Sequence, residues 1–96
     1  MSYKDSYHPK IKSDLKKIDV SAAREIKAVH LDKILNNPYT SEQLYGSLTG
    51  IWIYHFRKIN VDYRIAYSID ETQKAVYFLM IGKRENFYDI LRRRLV

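Results

Sequence analysis

Two arginines and a histidine stand at the ends of three apolar runs: His55 in "IWIYHFR", Arg64 in "VDYRIAYSI" and Arg84 just after "AVYFLMIGK". A guanidinium is a planar fork that grips two phosphate oxygens at once. Arg64 and Arg84 converging on one groove would therefore form a phosphate clamp. An imidazole titrates near neutrality, which suits His55 to moving protons. Tyr88, a few residues further on in "ENFYDIL", could stack on a base, donate to an oxyanion or share the proton work. Together these are the parts for RNA cleavage by attack of a 2′-hydroxyl on the adjacent phosphate, which needs positioning, charge neutralisation and proton transfer but no metal. Arg57, Lys83, Arg92 and Arg93 are the candidate RNA contacts around them.

Each of these residues has a plainer reading. Arg64 and Arg84 could be sheet arginines paired with Asp62 and Glu85. Tyr88 lies at the rim of the helical stripe Phe87, Leu91, Leu95 and could simply pack. Arg92, Arg93 and Arg94 complement the dipole of a helix C-terminus. His30 falls on an apolar helix face and reads as a core histidine; His8, beside Pro9, reads as local to a helix start. The three histidines show no metal-ligand spacing, so neither a metal nor another cofactor is expected.

The elements that must position these groups follow from periodicity. "YKDSYH" alternates weakly and fits an edge strand. After Pro9, Ile11, Leu15 and Ile18 fall on one helical stripe with Lys10, Lys12, Lys16 and Lys17 mostly off it. A second helix is predicted from about Ser21 to Asn36, with Ala22, Ile26, Val29 and Ile34 on one face. Ile51–Arg57, Val61–Ile69 and Ala75–Ile81 are rich in β-branched and aromatic residues, and short connections make them an antiparallel meander. "ENFYDILRRRL" is a third helix, with Asn86 as its expected N-cap. The fold class is α+β: a small antiparallel sheet with a helical hairpin on one face and a short C-terminal helix, one domain over residues 1–96.

The register follows from apolar continuity. Pairing Arg57 with Asp62 sets His55 opposite Arg64; pairing Ile69 with Ala75 sets Tyr67 opposite Tyr77 and Ile65 opposite Leu79. Trp52, Tyr54, Phe56, Tyr63, Ile65, Tyr67, Tyr77, Leu79 and Ile81 then share the face beneath the helical hairpin. The other face carries the cationic end and, at its far end, Ile51, Ile53, Val76 and Phe78. Those four need a cover, which the C-terminal helix or a partner could provide; they form an expected docking surface for an acidic amphipathic segment of a partner that displaces that helix or blocks Arg84.

Lysine and arginine total 17 against 11 acidic residues, a formal charge of +6 on 96 residues, which attracts polyanions or an acidic partner. There is no cysteine, so disulfides and thiolate metal sites are excluded. No apolar run approaches the roughly 20 residues that span a bilayer, and "MSYKDSYHPK" lacks the apolar core of a signal peptide. The expected location is the cytoplasm, without membrane contact.

The stretch "LYGSLTGIWIYHFRKINVDYRIAYSID", followed by "IGKRENFYDIL" and preceded by "HPKIKSDLKKID", resembles the RelE/ParE superfamily of bacterial toxins over nearly the whole chain. The resemblance implies a compact α+β toxin paired with an antitoxin. Its RelE-like branch implies a metal-independent endoribonuclease (an mRNA interferase) that cuts mRNA in the A site of the ribosome, beside 16S rRNA. Arg64 matches the arginine of the family's "YR" motif, Arg84 the arginine ending the last strand, and Tyr88 the stacking tyrosine of the terminal helix. The paired lysines of the first hairpin strand are absent; Ile53 and His55 occupy their places, and His55 is the substitute base. The alternative is a ParE-like toxin that inhibits DNA gyrase without cutting RNA.

Overall fold

The computed structural model describes residues 2–96. A five-stranded sheet in the order β1-β5-β4-β3-β2 separates two apolar layers. β1 (Lys4–Tyr7) pairs parallel with β5 (Ala75–Lys83), confirming an edge strand. β3 (Ile51–Lys58) and β4 (Val61–Asp70) pair antiparallel, as do β4 and β5. The far edge is closed by β2, only Glu42–Gln43, antiparallel to β3.

α1 (Ile11–Lys16) begins after a turn in which His8 Nδ1 accepts the Lys10 N–H at 3.1 Å. α2 (Val20–Glu25) is capped by Asp19, whose carboxylate accepts the amides of Ser21 and Ala22 at 3.0 and 3.4 Å. That side chain is held below the usual carboxylate range, first by the Ser21 hydroxyl and then by the Ala22 amide. A π-helical turn, Ile26–His30, joins α2 to α3 (Leu31–Asn36). Ile26 and His30, four residues apart and so on one face, are both buried. His30 lies stacked on Phe56 at 3.9 Å, with Nδ1 bonded to the Tyr54 hydroxyl at 2.6 Å and Nε2 to Glu25 at 2.7 Å. It is the satisfied core histidine its place on the helix suggested. Its bond to Glu25, with the Lys58 ammonium at 3.0 Å, holds that carboxyl below its ordinary range.

These helices cover one face of the sheet. Ile11, Ile26, Leu31 and Ile34 pack on Ile65, Tyr67, Val76, Phe78 and Ile81, with Trp52, Tyr54 and Phe56 at the margin. The β3–β4 register is the expected one: Arg57 faces Asp62, His55 faces Arg64 and Trp52 faces Tyr67. Ile59 and Asn60 turn this hairpin, both at positive φ, in the manner of a two-residue loop that matches the strands' twist.

The β4–β5 register differs from expectation. Ile69 pairs with Val76 and Tyr67 with Phe78; a bulge follows, and Ile65 pairs with Ile81. Val76 and Phe78 therefore lie under the helical hairpin and are fully buried there, not on the opposite face. Leu79 joins the opposite layer together with Met80, its chain neighbour. Tyr77, expected in the core, is 37% exposed. The cause is local: with Asp70 opposite Ala75 and Lys74 in the left-handed region, the parity of β5 is reversed at its start, and the bulge reverses it again.

Glu71, in the β4–β5 connection, ties three segments together. It accepts the Tyr3 hydroxyl at 2.8 Å, the Tyr39 hydroxyl of the 3₁₀ turn Pro38–Thr40, and the Lys74 ammonium. The lysine, then the two tyrosines, pull its carboxyl down from 4.5 to about 2. A carboxyl depressed in the fold contributes stability above its unfolded pKa, and that contribution fades as pH falls through the folded value. Glu71→Gln should lower the melting temperature at pH 7, and the gap from wild type should close between pH 4.5 and pH 2 in thermal scans.

Candidate phosphate-clamp site

The second face of the sheet is covered at one end by α4 (Phe87–Arg94). Phe87 and Leu91, both buried, press on Ile51, Ile53, Ala66, Leu79 and Met80, with Leu48 closing the side. Ile51 and Ile53 thus lie on the expected face, covered by the C-terminal helix, one of the two expected covers; Val76 and Phe78 lie on the other face, so the four do not form one surface. Gly82 faces the helix: a Cβ there would meet the Phe87 ring at 3.5 Å. Asn86 does not cap α4 with its side chain; it occupies the left-handed region, φ 59°, and turns the chain from strand to helix.

Arg64 lies in the middle of this face, between His55 of β3 and Gly82 of β5. Its guanidinium carbon is 5.3 Å from the centre of the Tyr88 ring, a cation–π contact that locates the fork. Its Nε is buried and, among the described residues, has no hydrogen-bond partner. Asp62 approaches Arg57, at 3.8 Å, rather than Arg64. Arg84 is exposed; its amide donates to the Asp62 carbonyl at 3.1 Å, placing it at the same end of the sheet. Among the described residues, neither Arg64 nor Arg84 makes an ion pair. The plainer reading of both as salt-bridged sheet arginines is therefore not what the fold holds. His55 is 44% exposed, and its Nε2 lies 2.8 Å from Glu42 of β2.

The structure brings His55, Arg64 and Tyr88 onto one face, with Arg57 and Arg84 at its open end. It separates the others. Lys83 pairs with Tyr63 and lines a cavity on the side of α1. Arg92 lies 3.6 Å from Asp89, and Arg93 donates to the Asp89 carbonyl at 3.3 Å. Two features were missed by sequence reasoning. Glu42 reaches His55 only through a two-residue strand that no pattern announces. Arg94 sends both Nη groups to the buried carboxylate of Asp14, at 2.6 and 2.8 Å, and Nη1 also to the Leu79 carbonyl at 2.9 Å. The other donor to Asp14 is the Ile81 amide, at 3.0 Å. Past the end of β1, this ion pair stands where the next strand would be and locks α4 in place. An aspartate inside a lysine-rich amphipathic run carries no sign of such a partner.

Known proteins share this fold. A family model described as a ParE-like toxin of type II bacterial toxin-antitoxin systems matches residues 6–92. The toxin-antitoxin complex RelBE2 from Mycobacterium tuberculosis contains a chain with a TM-score of 0.77 and 19% identity, covering 88% of this chain and 100% of that one. A mutant of the E. coli toxin RelE in the free state gives 0.76 and 17%, covering 100% of both chains. The archaeal RelE-RelB complex from Pyrococcus horikoshii gives 0.56 and 19%, covering 88% of this chain and 98% of that one. At these identities the likeness speaks for the fold. No curated protein matches in sequence. With the family model spanning the sheet, the helical hairpin and most of α4, the chain belongs to the ParE-like toxins of type II toxin-antitoxin systems, within the RelE/ParE superfamily and with its RelE-like fold.

Proposed function

We propose that this toxin is a ribosome-dependent endoribonuclease that cuts mRNA in the ribosomal A site, in the cytoplasm. One observation carries the reading: among the described residues Arg64 and Arg84 make no ion pair, and Arg64 stands beside an accessible histidine, His55, with Arg84 at the same end of the sheet. With Nε2–H held by Glu42, the Nδ1 lone pair of His55 takes the proton of the 2′-hydroxyl. The 2′-oxygen bonds to phosphorus, the bond from phosphorus to the 5′-oxygen breaks, and the imidazolium returns its proton to that oxygen. The products are a 2′,3′-cyclic phosphate and a 5′-hydroxyl. Arg64, oriented by Tyr88, and Arg84 neutralise the charge that grows on the phosphate. The partner is a cognate antitoxin, in keeping with the toxin-antitoxin complexes among the structural neighbours.

Primer extension on a reporter mRNA after induction tests the reading. New 5′ ends inside translated codons are expected, and they should vanish when the start codon is removed. The family description as ParE-like favours one other reading, inhibition of DNA gyrase without cleavage. Loss of supercoiling by purified gyrase, with intact mRNA, would replace the first reading by the second.

A further inference from the structure

Two adjoining cavities lie between α1 and α4. One, of about 320 Å³, includes Lys83 and Glu85; the other, of about 350 Å³, continues past Ser13 to Lys10 and Arg93. They share Lys17, Ile90 and Arg94. Lys10, Lys17, Lys83 and Arg93 are exposed, and among the described residues none of them makes an ion pair. Asp14 at the floor does not neutralise them, because both of its oxygens are engaged by Arg94. Glu85, at the rim, is the one other carboxylate lining the groove. Lys83 is the chain neighbour of Arg84, so the groove starts where the clamp ends.

We propose that this groove binds the sugar–phosphate backbone of an RNA strand leaving the clamp, as a docking track separate from the chemistry. The proposal deepens the ribonuclease reading and rests on it. Separate cations on both walls match phosphates repeating along a strand. An acidic amphipathic peptide would instead want an apolar floor along its length; the inner cavity has one in Ile18, Met80, Ile81 and Ile90, but the outer offers only Ile90 among four cations and a serine. Binding of this kind releases counterions, so log Kd depends linearly on log salt, by about 0.7 per phosphate contact on a single strand.

The test uses a fluorescent, 2′-O-methylated single-stranded RNA, which cannot be cut, and reads Kd by anisotropy across a potassium chloride series. Lys10→Ala, Lys17→Ala and Arg93→Ala should each reduce the slope by about 0.7, and the triple variant by about 2. Lys16→Ala and Lys33→Ala, outside the groove, should leave it unchanged. On programmed ribosomes the triple variant should raise KM and keep kcat. A wild-type slope in the triple variant overturns the proposal, as does a wild type that does not bind this RNA. A triple variant that keeps RNA affinity but loses its antitoxin overturns it in favour of an acidic peptide. If the slope falls as expected while the wild type cuts no mRNA, the groove stands and the cleavage reading falls.

Discussion

If the toxin cuts mRNA as proposed, Arg84→Ala is expected to lower single-turnover cleavage on programmed ribosomes by about 10²–10³ and to leave the melting temperature near that of wild type. Removing one preorganised donor from a charge that develops in the transition state costs that much. Arg84 is exposed and, among the described residues, pairs with no carboxylate, so its truncation opens no cavity, and such surface changes stay within about 0.5 kcal/mol. Arg64 needs a gentler probe, because its guanidinium lies half-buried beside Tyr88. Arg64→Lys keeps the charge but loses the planar fork; a rate loss of about 10²-fold with an intact fold is expected. His55→Ala should cost roughly 10²–10⁴. Arg92→Ala, at an exposed position beside Asp89, should change little. Wild-type rates in both arginine variants would remove the clamp and leave gyrase as the better target.

Asp14→Ala should destabilise the domain by about 3–5 kcal/mol, the usual cost of leaving one member of a buried ion pair behind. The Asp14 and Arg94 side chains are 4% and 6% exposed. The change strands the guanidinium of Arg94 and orphans the Ile81 amide. Against a total stability of about 5–15 kcal/mol, that is a large share, and α4 loses its anchor to α1. Urea unfolding should show the drop, and hydrogen exchange should show α4 opening first. Asp14→Leu with Arg94→Leu should recover part of the loss, because a shape-filling apolar pair leaves no buried charge. A midpoint unchanged in Asp14→Ala would show that the pair holds nothing.

The β3–β4 hairpin was legible because only one parity of pairing puts Trp52, Tyr54 and Phe56 on the same face as Tyr67, Ile65 and Tyr63 and leaves His55 and Arg57 beside Arg64 and Asp62. The adjoining run "AVYFLMI" has no alternation to read. Every parity of β5 buries something apolar, and so Val76 and Phe78 were assigned to the wrong side. The parity was decided by the geometry of the Glu71–Lys74 connection and by the bulge opposite Ala66 and Tyr67.

What the sequence by itself determined is what local pattern encodes: an α+β chain, the helical hairpin, the meander, and His55 beside Arg64 across two strands. Asn86 does stand at the N-cap of α4 as expected, but its left-handed backbone rather than a side-chain bond starts the helix. Only the tertiary structure decided between the C-terminal helix and a partner as the cover of Ile51 and Ile53, in favour of α4, and showed that Glu42 holds His55 and that Asp14 holds Arg94 from 80 residues away. Contacts of that kind join elements whose relative placement depends on the packing of the whole core. A charged residue in a basic, solvent-facing pattern looks the same whether water or a distant guanidinium receives it, and burial alone makes the difference.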